Sequence, residues 1–166
     1  MLTVHHLNNS RSQRVLWLLE ELSLDYQLKT YQRDPETNLA PPELEQIHPL
    51  GKSPVLSDGA ATIIESGAII DYILRRYGDG QLQPAAGSDE YEAYLQWLHY
   101  AEGSAMLRMM LKMYTARLGD DGAALQPRIA DELQRHLGYI EKAMEGVEWP
   151  VGKGFSGDDN RLRFGV

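Results

Sequence analysis

Cysteine is absent from the chain. That excludes disulfides, zinc–thiolate and iron–sulfur sites, and any reaction in which the protein itself supplies a thiolate. Long apolar runs are absent too, since none approaches the roughly 20 residues a spanning helix needs. The opening MLTVHHLNNSRSQR has an apolar run too short for a signal-peptide core and no basic leader. A soluble, cytoplasmic protein with no membrane partner is expected. Basic charge is in deficit, with 16 Lys and Arg against 24 Asp and Glu, a net charge of −8 and a pI near 5.1. Phosphate-backbone binders cluster Lys and Arg, so no nucleic-acid partner is expected. The five histidines lack zinc spacing. On a strand His5 and His6 point to opposite faces, so no metal site is expected. There is no phosphate loop and no Rossmann glycine pattern.

What is present is globular. Hydrophobic residues make up 43% and charged residues 24% of 166 residues, which disfavours long disorder and suits one large domain or two small ones. Leu2–Leu7 reads as a strand, followed by the polar turn Asn8-Asn9-Ser10. From Ser10, Val15, Leu18, Leu19 and Leu22 fall on one helical face. Tyr26 to Tyr31 alternates with period two, as a half-buried strand does. Arg33 to Pro42 is a polar, proline-rich loop, and a short helix from Pro42 to about Ile47 follows. Pro54 to Ser57 and Ala61 to Ile64 are strand-like and joined by a turn containing Asp58-Gly59, which favours a tight hairpin. The next helix puts Ile69, Ile70, Ile73, Leu74 and Tyr77 inside.

Residues 79–88 read as a linker rich in glycine. Beyond Ser88 the pattern is helical. One long run continues to about Leu118, Gly119 to Gly122 ends it, and a second helix carries Ile129, Leu133, Leu137, Ile140 and Met144. The plan is βαβ, then ββα, then helices. That gives a thioredoxin-like α/β domain over 1–78 and an all-α domain over 89–166.

Three places could carry chemistry. Ser10 sits where the first strand meets the first helix, beside unpaired amides with partial positive charge. There a hydroxyl can hold a thiolate. The helix dipole gives roughly 0.3–2 kcal/mol and a hydrogen bond to a charged group roughly 1.5–3 kcal/mol. At 1.36 kcal/mol per unit, the two together lower a thiol pKa by about one to three units. The plain alternative is an N-cap serine. Lys52-Ser53-Pro54-Val55 opens a strand with proline. A cis bond there frees the preceding N–H and C=O for a peptide-like ligand, and a trans edge proline is the alternative. Glu65-Ser66 opens the third helix. A serine hydroxyl with helix amides suits a carboxylate and Glu65 an ammonium, a pair that an amino-acid α-group presents; a plain cap is the alternative.

Together, Asn8-Asn-Ser-Arg-Ser-Gln-Arg14, His48-Pro-Leu-Gly-Lys-Ser-Pro-Val55 and Ile64-Glu-Ser-Gly-Ala-Ile69 resemble the N-terminal domain of cytosolic glutathione S-transferases. The likeness is strongest to the bacterial and fungal serine-type branch. It covers about 1–78, with the helical half to about 159 matching by pattern. Its most specific part is the Pro-Val strand, eleven residues before Glu-Ser.

The resemblance implies glutathione as co-substrate and no other cofactor. It implies that Ser10 stabilises the glutathione thiolate, with Ser12 a competitor at the same helix start. Ser53 would pair its backbone with the cysteinyl moiety, and Pro54 would be the cis-proline. Glu65 and Ser66 would hold the γ-glutamyl end, and Lys52 the glycyl carboxylate. Arg14 adds positive potential or is a surface charge. The helical half would line a pocket for a small hydrophobic electrophile with Met106, Met110 and Tyr114, since methionine adapts to varied apolar surfaces; ordinary helix packing is the alternative.

The implied activities are conjugation or hydroperoxide reduction, and the other reading is a non-catalytic glutathione-binding module. Family members are usually longer. Ser156 and Asp159 read as a capping box for a next helix, yet Asn160 to Val166 shows no apolar periodicity. The helical domain is therefore expected to be incomplete, with apolar faces over 89–145 uncovered. That raises the expected weight of a homodimer, which the resemblance puts on the helices near 66–77 and 89–118.

Overall fold

The computed structural model describes residues 1–151 and Gly157. The chain divides into two compact units, Met1–Leu82 and Gln83–Val166. The capping box over Ser156 and Asp159 and the tail from Asn160 lie outside the described residues.

The first unit runs β1 (Leu2–Leu7), α1 (Ser12–Glu21), β2 (Tyr26–Tyr31), α2 (Glu43–Ile47), β3 (Val55–Asp58), β4 (Ala61–Ile64) and α3 (Ser66–Tyr77). The strands form one sheet in the order β2-β1-β3-β4. β1 and β2 are parallel, and the other two pairings are antiparallel. This is the thioredoxin-like βαβ-ββα arrangement. Helix α1 packs on β1 and on α3, and α3 packs on β3 and β4. Val4 and Leu56 are register partners, so they face the same side of the sheet. They are fully buried, as are Val15, Leu18 and Leu19 of α1 and Ile69, Ile70 and Ile73 of α3. Burying each such side chain contributes about 1.5–3 kcal/mol. A smaller cluster joins Leu7, Tyr31 and Leu44, with Ala40 against it.

Several expectations needed correction. α1 begins at Ser12 rather than Ser10. β2 is an outer strand, so its alternation does not translate into half-burial. Gln27 to Thr30 are exposed, Leu28 at 50%, and only Tyr31 at its end is buried. Tyr77 is 37% exposed rather than on the inner face of α3. Its hydroxyl instead donates to Asp58, as Tyr72 also does at 2.9 Å. The hairpin is as expected, with Gly59 at φ +58°, a left-handed conformation glycine takes without a Cβ penalty.

The second unit contains α4 (Asp89–Tyr100), a π-helical segment Ala101–Met106, α5 (Leu107–Ala116), a 3-10 helix Gly119–Leu125 and α6 (Gln126–Ala143). The Ser88 hydroxyl caps α4 by accepting from the Tyr91 N–H at 3.1 Å. The long helix expected from Ser88 to about Leu118 is thus interrupted by wider turns and ends at Ala116. Gly119 to Gly122 starts a further helical segment rather than a plain break. A Cβ on Gly122 would lie 2.3 Å from the Thr115 carbonyl, so only glycine allows that approach.

α4 meets α6 through aromatic rings. Trp97 stacks on Tyr139 with centroids 5.2 Å apart, and the Tyr100 hydroxyl bonds His136 Nδ1 at 2.8 Å. Of the apolar stripe on α6 only Ile129 is buried; Leu137 is 42% exposed. A groove of about 690 Å³ lies there, lined by Met109 and Lys112 of α5 and by Ile129, Leu133, Leu137 and Glu141 of α6. Among the described residues no helix is long and apolar enough to cross a membrane.

Candidate functional site

Strand register gathers the candidate residues at one end of the first sheet. His5 of β1 is opposite Val55 of β3, and Val55 is opposite Ile64 of β4. β1 therefore ends, β3 begins and β4 ends on the same side. Ser10, Ser53-Pro54 and Glu65-Ser66 follow or precede those strand ends by a few residues. The Ser53–Pro54 bond is cis.

Three serine hydroxyls and one imidazole form a chain of hydrogen bonds. His6 Nδ1 lies 2.7 Å from Ser12 Oγ, and Ser12 Oγ lies 2.6 Å from Ser10 Oγ. Ser10 Oγ lies 3.3 Å from Ser53 Oγ. Ser53 Oγ donates to the His5 carbonyl at 2.8 Å and accepts from the Leu7 N–H at 3.2 Å. Ser10 Oγ also accepts from the Ser12 N–H at 3.3 Å. Ser10 thus closes a turn two residues long just before α1, and the N-cap position itself is Arg11. Ser12 is fully buried, whereas Ser10 keeps solvent exposure. Of the two serines, Ser10 is the one with residual solvent exposure.

The turn ahead of Ser10 is held by a residue the sequence reading did not single out. The Arg33 side chain donates to three carbonyls, Asn8 at 3.1 Å, Asn9 at 3.2 Å and Asn38 at 3.0 Å. Its backbone N–H donates to Asn8 Oδ1 at 2.8 Å. Asn9 takes φ +50°, which asparagine tolerates better than most residues. Nothing in the sequence marks Arg33, because it acts across 25 residues and looks like one more loop charge.

Glu65 stands in a strained conformation at φ 67°, ψ 115°. For a residue with a Cβ this costs of order 1–3 kcal/mol, and such outliers gather at ligand clamps. No side chain caps α3, although the buried Ser66 is its first residue. Among the described residues the N-cap position of α3 thus makes no side-chain cap hydrogen bond, unlike a plain serine cap. Lys52 is exposed beside Ser53. Arg14 is buried on α1, which removes its reading as a surface charge.

His5 and His6 do face opposite sides. His5 Nδ1 bonds the Tyr31 hydroxyl at 2.9 Å and its Nε2 bonds Ser57 Oγ at 3.0 Å. Burial lowers its pKa, helped by the nearby Lys29 charge. Burial likewise lowers the pKa of His6. In the second unit Met106, Met110 and Tyr114 recur every four residues, so they share a face along the helical run. Met106 and Met110 are half-buried and Tyr114 is 52% exposed. The groove between α5 and α6 takes Met109 instead.

Residues 1–75 match the family model "Glutathione S-transferase, N-terminal domain". Glutathione S-transferase 3 of Schizosaccharomyces pombe is 33% identical, over all of this chain and 73% of its own length. Glutathione S-transferase 1 of Saccharomyces cerevisiae is 32% identical, over 92% of this chain and 70% of its own. The crystal structure of a glutathione S-transferase from Actinobacillus pleuropneumoniae superposes with a TM-score of 0.88 at 38% identity, over 99% of this chain and 75% of that one.

Proposed function

Because the chain belongs to the glutathione S-transferase family, we propose that it binds glutathione at the sheet end described above and ionises its thiol for attack on an electrophilic carbon. The observation that carries this reading is the cluster of Ser10, Ser12 and Ser53 hydroxyls at the start of α1, in which Ser10 keeps solvent exposure. Ser10 donates to the sulfur. The Ser53 backbone pairs with the cysteinyl unit beside Pro54. Glu65 takes the γ-glutamyl ammonium, and Ser66 with the uncapped α3 amides takes the carboxylate. Lys52 meets the glycyl carboxylate. No metal or further cofactor enters: the protein ionises and positions a thiol, so proximity and electrostatics supply the rate.

The electrophile is small and apolar, and Met106, Met110 and Tyr114 are the residues we assign to its pocket. The working form is a cytoplasmic homodimer. The two domains are 1–78 and 89–166, joined by 79–88. Calorimetric titration with glutathione tests the reading, with Glu65→Ala as control. Micromolar-to-millimolar binding that the control loses supports it. A folded protein that binds no glutathione overturns it. Binding without conjugation of any electrophile and without hydroperoxide reduction would make the chain a binding module instead.

A further inference from the structure

We infer that His6 is a positioning residue: by donating from Nδ1 to Ser12, it sets the direction in which the Ser10 hydroxyl gives its hydrogen. The inference rests on the glutathione reading above and deepens it.

The argument is a count of hydrogens. Ser53 spends its hydroxyl hydrogen on the His5 carbonyl, so along the 3.3 Å contact it can only accept from Ser10. His6, Ser12 and Ser10 are linked at 2.7 and 2.6 Å, and each hydroxyl has one hydrogen to give. Two orders satisfy the chain. In the first, His6 Nδ1–H donates to Ser12, Ser12 donates to Ser10, and the Ser10 hydrogen is left for Ser53 or for a ligand. In the second, Ser10 donates to Ser12 and Ser12 donates to a bare His6 Nδ1.

The second order spends the Ser10 hydrogen inside the protein. A thiolate beside Ser10 would then meet only oxygen lone pairs. The first order points the hydrogen outward, and each donor in the line polarises the next. Ser10 thus stabilises sulfur in one tautomer of His6 and repels it in the other. Burial holds the His6 pKa below the ordinary histidine value, so near neutral pH the ring is uncharged and its tautomer makes the choice. A charged ring donates from both nitrogens, so only the first order is then open.

The test reads the pKa of the bound thiol from ultraviolet thiolate absorbance against pH. It uses the full chain with glutathione, and S-methylglutathione as a ligand with no thiol to ionise. We expect His6→Phe to raise the bound thiol pKa by about one unit, tenfold less thiolate below that pKa. Affinity for S-methylglutathione stays at the parent value, because no thiolate is involved. His6→Asn, which keeps an amide near the position of Nδ1, recovers most of the shift. A His6→Phe protein with the parent thiol pKa overturns the inference and leaves the glutathione reading standing. A parent chain that binds neither compound overturns that reading, and this inference with it. If His6→Phe does not fold, heteronuclear NMR of the parent imidazole nitrogens decides. Nδ1 protonated in the glutathione complex supports the inference, and a bare Nδ1 overturns it.

Discussion

A serine stabilises a thiolate only while its hydrogen points at the sulfur, so single hydroxyls at this sheet end have measurable weight. Ser10→Ala removes one hydrogen bond to a charged atom, worth roughly 1.5–3 kcal/mol. Turnover with a model electrophile should fall about tenfold to a hundredfold, with KM for glutathione little changed, by steady-state kinetics. Unchanged turnover would move the role to Ser12 or to the backbone amides. Glu65 offers a test of opposite sign for fold and function. Glycine takes φ 67° without the Cβ penalty, but its freer unfolded chain offsets part of the relief. Glu65→Gly should therefore raise stability by about 1 kcal/mol in urea unfolding. The same variant should bind glutathione at least roughly tenfold more weakly, because a charge-assisted contact is gone.

Elements differ in how their apolar residues are used. Leu18 on α1 is fully buried, and Leu28 on β2 is half exposed. Leu18→Ala should cost about 2–5 kcal/mol, transfer plus cavity, and Leu28→Ala should stay within about 0.5 kcal/mol. Equal losses in denaturant titration would show that β2 is covered in solution. Asp58, at the end of β3, accepts from the Tyr77 and Tyr72 hydroxyls and lies 3.7 Å from the Met1 amino group. The Tyr77 bond is the largest cause of its pKa lying below the ordinary carboxylate value, then the Tyr72 bond. A lowered folded pKa stabilises above the unfolded value and loses that contribution as pH falls through the folded one. The stability gap between the parent and Asp58→Asn should be full at neutral pH and close below about pH 4, near the unfolded aspartate value. A gap that stays constant across that range would remove Asp58 from the acid limb.

At the scale of the whole molecule, burial is unevenly shared between the units. Among the described residues the first contributes most of the fully buried side chains, from Val4 to Ile73. In the second, α5 buries only Thr115 and α6 only Ile129. Local opening free energy follows buried apolar contact. Amide hydrogen exchange should therefore be faster in α5 and α6 than in β1, α1 and α3, and the reverse order would contradict this account. Exposed Leu107, Met113, Tyr114, Leu137 and Tyr139 add apolar surface on the second unit. Light scattering across a concentration series should give a dimer mass for the proposed homodimer, and a concentration-independent monomer mass would sink it.

The sequence by itself determined the order of elements. The period-two and helical patterns and the Gly59 turn are local signals, written in residues a few places apart, and they set β1 to α3 nearly residue by residue. They also picked out Ser10, Ser53, Pro54, Glu65 and Ser66, because spacing along the chain carries the family resemblance. Only the tertiary structure decided how these groups meet. Strand order put β2 at the edge and exposed Leu28, although its alternation reads like that of a half-buried strand. Register brought Ser53 to the Leu7 amide across 46 positions. Folding also set Arg33 on the Asn8-Asn9 turn and closed the line from His6 through Ser12 to Ser10. Those contacts depend on side-chain direction and on distances of a few ångströms between remote segments, which composition and periodicity do not encode.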